Sequence, residues 1–225
     1  MKCSLSVFAV SFGRALVWMV ALFSSAASLK ATPEINVELP SGTAVPTGSL
    51  TGWGSPFANE LGVPAGLSDL VDVATATFGG AALGCRASGN VVSWGYAYIP
   101  DPITNGIAVG MRNGTYAVLR SDGKVVAWGS NFYGQTTVPA TLTGVSKIAV
   151  GTDHMLALKS NGTVVAWGRN DQNQCKVPVG LTGVVAIDAA TYGSVALKSN
   201  GTVVAWGSST YTSIPSGLTG VTAIA

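Results

Sequence analysis

The sequence predicts an all-β protein assembled from stacked repeats, and three observations carry that reading. The stretch ALKSNGTVVAWG occurs twice, at 157–168 and 196–207, with weaker copies VLRSDGKVVAWG at 118–129 and GCRASGNVVSWG at 84–95. A Trp-Gly pair closes each copy and recurs at Trp53, Trp94, Trp128, Trp167 and Trp206, with spacings of 41, 34, 39 and 39 residues. Charged residues are only 10% of a 225-residue chain that holds 29 glycines, and few runs favour helix.

Each copy reads as a β-hairpin: an apolar run, a turn built on Gly89, Gly123, Gly162 or Gly201, then a β-branched run ending in Trp-Gly. With Asn200-Gly201 as a two-residue turn, Leu197 faces Val204 and Val195 faces Trp206. One face then carries Val195, Leu197, Val204 and Trp206, and the other Ala196, Val203 and Ala205. A sheet apolar on both faces must be covered on both, as in the blades of a β-propeller or the rungs of a β-solenoid.

Between marks the order repeats: a polar loop, a turn, a strand such as VSKIAVG, another turn, then the hairpin. The interval from Trp94 to Trp128 is shortened, so that blade is expected to be irregular. The segment GSLTGWG at 48–54 supplies a final blade strand, and LTGVTAIA at the other end aligns with LTGVVAID and LTGVSKIA. Residues 48–225 are therefore read as propeller repeats, four to five blades in all, stopping after the first strand of a further repeat. Either the sequence is a piece of a longer propeller, or GSLTGWG pairs with the last strand to close a ring.

The first 28 residues read as a secretory signal peptide: Lys2 and Arg14, an apolar run from Ala15 to Phe23, then SSAAS. That run is short for a membrane span, so no span is expected in the mature chain. Residues 29–47 form a linker rich in Pro, Ser, Thr and Gly. Cys3 leaves with the signal, while Cys85 and Cys175 fall at unlike positions of different repeats and are read as unpaired. A net charge of +2 offers no basic stripe, so nucleic acid is not an expected partner.

The segments WGSNFYGQTTVP, WGRNDQNQCKVP and ALKSNGTVVAWG resemble the repeat of the regulator of chromosome condensation family, and are similar above all to a secreted bacterial branch that includes a β-lactamase-inhibitory propeller protein. The resemblance covers about residues 48–225 and implies a β-propeller, seven-bladed in that family. The eukaryotic founder is a nuclear exchange factor for a small GTPase. A signal peptide and low charge argue against carrying that role over, and β-lactamase inhibition rests on the resemblance alone.

No catalytic constellation stands out. His154 is the single histidine, its repeat equivalent is Gly193, and it is read as a turn-bonding residue. The carboxylates are scattered, no nucleophile elbow or phosphate loop is present, and NDQNQ at 170–174 lacks the Gly and Glu of a calcium loop. No metal or cofactor is expected. Asn113, Asn161 and Asn200 open Asn-Gly-Thr triplets that serve turns better than glycans. The loops after the marks should emerge together, and they carry Phe57, Tyr96, Tyr98, Phe132, Tyr133, Arg169 and Tyr211 among polar residues. That mixture suits a protein-binding surface, with packing of the blade edges as the alternative use of the same aromatics. The expectation is a secreted, non-catalytic propeller, periplasmic or at the surface of a bacterial cell, that binds another protein through these loops. A carbohydrate or cell-surface module using the same aromatics is the second reading, and an enzyme with a central-channel site the third.

Overall fold

A computed structural model describes residues 9–12, 15–18, 64, 66–76 and 80–224. Two short strands, β1 (Ala9–Phe12) and β2 (Ala15–Trp18), pair antiparallel within the segment read as a signal. The rest of that segment, the linker at 29–47, and Trp53 and Phe57 lie outside the described residues.

Four three-stranded antiparallel sheets follow in chain order. They are β3–β5 (Leu70–Thr75, Ala81–Arg86, Val91–Gly95), β6–β8 (Gly106–Arg112, Thr115–Arg120, Val125–Gly129), β9–β11 (Val145–Val150, His154–Lys159, Val164–Gly168) and β12–β14 (Val184–Ala189, Gly193–Lys198, Val203–Gly207). The first strands β3, β6, β9 and β12 pack on one another in succession, whereas the third strands do not to any comparable extent. First strands are thus innermost and third strands outermost, which is the geometry of propeller blades. The shortened interval still yields a full blade, β6–β8. The segment aligned with the first strand of a further repeat does not form one: Val221 N donates to Gly201 O at 3.2 Å, as Val145 N does to Gly123 O, but residues 221–224 have no strand partner among the described residues.

The hairpin register differs from expectation by one residue. Leu197 faces Val203, Ala196 faces Val204, Val195 faces Ala205 and Ser194 faces Trp206. The loop holds three residues, Ser199 to Gly201, closed by Lys198 N donating to Thr202 O (2.8 Å) and Gly201 N to Lys198 O (2.9 Å). Only Gly201 has positive φ, at 80°, as in a turn followed by a glycine bulge. Asn200 is there for its side chain, whose Oδ1 accepts from Thr202 N at 3.1 Å, as Asn161 does from Thr163 and Asp122 from Lys124. The two-residue turn lies elsewhere, at Asn113-Gly114 (φ 45° and 75°), where Arg112 faces Thr115.

This slip exchanges the faces. Trp206 shares its side with Ser194, Ala196 and Val204, so the indole lies over small neighbours, while Val195, Leu197, Val203 and Ala205 form the other side. Every interface follows the same rule. The Trp167 side of the third blade, with Met155, Ala157 and Val165, packs on Ala117, Leu119, Val125 and Ala127 of the second. Trp206 packs on Leu156, Leu158 and Val164 of the third blade. Trp128 and Tyr116 stack at 5.5 Å and meet Leu83 and Cys85 of the first. Cys85 is buried and free, and Cys175 is free in a loop.

Polar contacts key these apolar faces. Trp167 Nε1 donates to Gln135 O and Trp206 Nε1 to Gln174 O, both at 2.9 Å and both 32 residues back. The Gln135 and Gln174 side chains are fully buried beneath their own loops, accepting from Tyr133 N and Gln172 N. At the last interface Ser194 Oγ donates to Gln174 O (2.8 Å) and stands 3.0 Å from His154 Nε2. Because the hydroxyl proton is committed to Gln174, His154 Nε2 carries the donor hydrogen and Nδ1 is left bare, without a partner among the described residues. Burial lowers the His154 pKa to about 4. Asp72 Oδ2 accepts from Val109 N at 2.8 Å, joining the first two inner strands, and burial raises its pKa to about 6.

Two predictions follow from these contacts. Trp167→Phe leaves Gln135 O without its donor, whereas Trp206→Phe leaves Gln174 O still bonded to Ser194. Urea unfolding should show a loss of about 2 kcal/mol for Trp167→Phe and a smaller loss for Trp206→Phe. The second concerns pH. A depressed histidine pKa means the unfolded chain takes up protons first, so the His154 contribution is full above pH 6.5 and is lost as pH falls toward 4. The loss is about 3 kcal/mol. Asp72 works in the opposite sense, since its raised pKa means stability is lost as pH rises from 3.8 through 6. With one histidine in the chain, an imidazole NMR titration isolates the first effect; a midpoint near 4 is expected, and a midpoint near 6.5 contradicts the buried placement.

Candidate functional site

The chain leaves each outer strand at one end of the propeller, beside the turn that joins the first and second strands. Ser130 N donates to Gly114 O, Arg169 N to Asp153 O and Ser208 N to Tyr192 O. The loops after the Trp-Gly marks therefore do emerge at one end, together with the turns at 151–153 and 190–192. The opposite end carries the hairpin tips.

Gly168 turns the chain with φ 100°, and a Cβ there would come within 2.6 Å of Asp153 O, so only glycine delivers the next residue to this position. That residue is Arg169. Its guanidinium bonds Asp171 at 2.6 Å and Asp153 at 3.1 Å. The same group lies 4.7 Å from the Tyr133 ring centre and 5.1 Å from that of Tyr192. Tyr192 in turn meets Tyr211 edge to face at 6.1 Å. Hydrogen bonding by Asp171, with Asp153 behind it, raises the Arg169 pKa further above its usual range, and Arg169 lowers that of Asp171. The cation is held in place by four partners and bridges two rings that otherwise belong to different loops.

Tyr133, Arg169 and Tyr211 are thus brought into one ledge that crosses two blade boundaries. The member missed in the sequence is Tyr192, which occupies the repeat position of Asp153 in the turn between first and second strands. Phe132 is 95% exposed beside Tyr133. Tyr96 and Tyr98 are exposed on the loop of the first blade, where Tyr98 O accepts from Trp128 Nε1 at 2.6 Å. Their role in the ledge is not established by any ring contact, and Phe57 lies outside the described residues. Asn131 and Gln135 hold the loop shape, since Asn131 Oδ1 accepts from Thr136 N and Gln135 is buried.

The ledge holds no nucleophile and base within bonding reach. His154 and Ser194 do meet, but both are buried inside an interface, where they act as packing groups. Among the described residues no group of three His, Cys, Asp or Glu is placed to hold a metal ion, and no helix is long and apolar enough to cross a membrane.

Comparison with known proteins agrees with the fold. The family model described as "Regulator of chromosome condensation (RCC1) repeat" matches residues 107–135 and 145–174, each span running from an inner strand to a buried glutamine. No curated protein matches the chain. The ectodomain of the Physcomitrella patens receptor kinase CR4 is similar, with 21% identity and a TM-score of 0.59 over 76% of this chain and 50% of that one. The CRINKLY WD40 ectodomain of the Arabidopsis thaliana receptor kinase ACR4 shares 21% identity with a TM-score of 0.58, over 75% of this chain and 61% of that one. The crystal structure of Kap60 bound to yeast RCC1 (Prp20) gives 19% identity and a TM-score of 0.54, over 70% of this chain and 46% of that one. The chain thus spans between 46% and 61% of these solved chains. The match to the repeat model falls on the second and third of its four blades, and the solved structures share its propeller fold.

Proposed function

We propose that the protein is a non-catalytic propeller that binds another protein through the loops following its Trp-Gly marks. The observation that carries this reading is the ledge of Tyr133, Arg169, Tyr192 and Tyr211. It is rigid before any partner arrives, because the arginine is pinned by two carboxylates and two rings. Exposed aromatics on a fixed frame lose little side-chain freedom on binding, which is how hot-spot residues gain affinity. Phe132 stands beside the ledge as an anchor free to enter a partner's pocket. The yeast RCC1 structure, in which that propeller is bound to Kap60, supports the same use of the fold without naming a partner here.

The residues before 29 support export, to the periplasm or the cell surface of a bacterium, and the family resemblance to a secreted branch agrees with it. The same aromatics would serve a carbohydrate ligand as stacking platforms, and this second reading rests on Tyr133 and Tyr211 being 48% and 46% exposed.

Affinity capture from the producing organism's culture medium, with bound proteins identified by mass spectrometry, tests the proposal. Phe132→Ala with Tyr133→Ala should weaken retention of the captured protein by about 30-fold, the equivalent of ~2 kcal/mol, with melting unchanged. Equal retention by the variant overturns the ledge as the binding site. Retention competed away by soluble oligosaccharide moves the assignment to the carbohydrate reading.

A further inference from the structure

The hairpin-tip end has a chemistry of its own. The residue that opens each tip is a cation in all four blades: Arg86, Arg120, Lys159 and Lys198. The tip uses only its backbone, whose N–H and carbonyl close the loop in the same way each time, as in Lys159 N to Thr163 O and Gly162 N to Lys159 O. Hairpin geometry therefore gives no reason for a positive side chain, yet none of the four repeats lacks one. Lys124 and Lys147 stand at the same end, exposed. Of its outward carboxylates, Asp69 is tied to Arg86 at 2.8 Å and Asp122 to Arg120 at 3.5 Å, while Asp101, exposed two residues before Ile103, whose carbonyl accepts from Val91 N, makes no ion pair among the described residues. Asp72, at the repeat position of Lys147, is turned inward onto Val109 N. The four lysines make no ion pair among the described residues. Asp153 and Asp171 lie at the other end, where Arg169 pairs with both.

Aliphatic side chains share the cationic end. Ile107 and Val185 are bulged residues of the inner strands, where the register shifts, and are 47% and 43% exposed. Each lies beside a tip: Gly106 N donates to Gly89 O, and a Cβ added at Gly162 would lie 3.6 Å from Val184 N. Val179, in the loop entering the last blade, is fully exposed. By contrast the exposed aromatic rings, Tyr96, Tyr98, Phe132, Tyr133 and Tyr211, are on the loops of the other end. Among the described residues the tips therefore hold no stacking surface for bases. Cations on flexible stems around small exposed aliphatics suit an interface of anionic headgroups over acyl chains.

We propose that the hairpin-tip end docks on an anionic lipid bilayer, leaving the aromatic ledge facing away from the membrane. Lys159 and Lys198 contact headgroups, and Val179 and Val185 reach the headgroup boundary. This proposal is independent of the partner assigned to the ledge.

Sedimentation of the full chain with vesicles of phosphatidylcholine containing phosphatidylglycerol, against phosphatidylcholine alone, tests it. Binding to the anionic vesicles alone is expected, weakening as salt is raised. The double variant Lys159→Glu/Lys198→Glu should bind them at least ~10-fold more weakly. Lys159→Gln/Lys198→Gln, which only removes charge, should lie between, and serves if the reversal disturbs folding. Both variants keep the apolar run at 15–23, so any binding due to that run is common to all samples. Unchanged binding by the charge-removed variant overturns the proposal. So does equal binding to phosphatidylcholine alone, or salt-sensitive binding to soluble dextran sulfate with none to vesicles, which would assign the tips to a dissolved polyanion.

Discussion

Trp128, Trp167 and Trp206 are each wedged against the preceding blade, and the rest of the fold depends on how each indole is satisfied there. The ring supplies the largest apolar area of its strand, and its N–H must find an acceptor once buried. For Trp167 and Trp206 that acceptor is the carbonyl of a glutamine 32 residues earlier. The same glutamine buries its side chain to fold the connecting loop. One interaction therefore sets blade spacing and loop path.

Loops held in this way can present side chains in fixed positions without taking part in the core. Arg169 is the clearest case, because its backbone is placed by Gly168 and its head group by Asp153 and Asp171. Tyrosines from two neighbouring loops then gather around it. The opposite end has no comparable order among its side chains. Its lysines project from backbone-closed tips, so its chemistry is one of charge and reach rather than of a shaped surface. A propeller with two such unlike ends can engage two unlike partners at once.

The repeat, its blade count in the described region and the common emergence of the loops after the Trp-Gly marks were legible because they follow from local signals: Trp-Gly marks, glycine tips and a constant period. Register was not. Two- and three-residue loops share the same Asn-Gly composition, and the choice rests on whether Lys198 N reaches Thr202 O, which composition does not encode. The slip moved Ser194 opposite Trp206 and so next to His154. Comparison of repeats makes Gly193 the equivalent of His154, as the structure has it, but does not bring His154 to Ser194 of the next blade. Tyr192 was invisible for a related reason: its repeat equivalents are Asp153 and Gly114, so no periodic pattern marks it, and only proximity to Arg169 gives it a role. Phe132, Tyr133 and Arg169 were legible because they break the otherwise polar loops.

The indole constraint is tested most directly by hydrogen exchange at the tryptophan Nε1 positions, followed by NMR in the intact chain. If the indoles of Trp167 and Trp206 are locked to Gln135 and Gln174, their protons exchange far more slowly than that of an exposed indole, because they are released only when the blades separate. Exchange as fast as that of an exposed indole would mean that the blades are not joined through these contacts, and the geometry of the loops built upon them would fall with it.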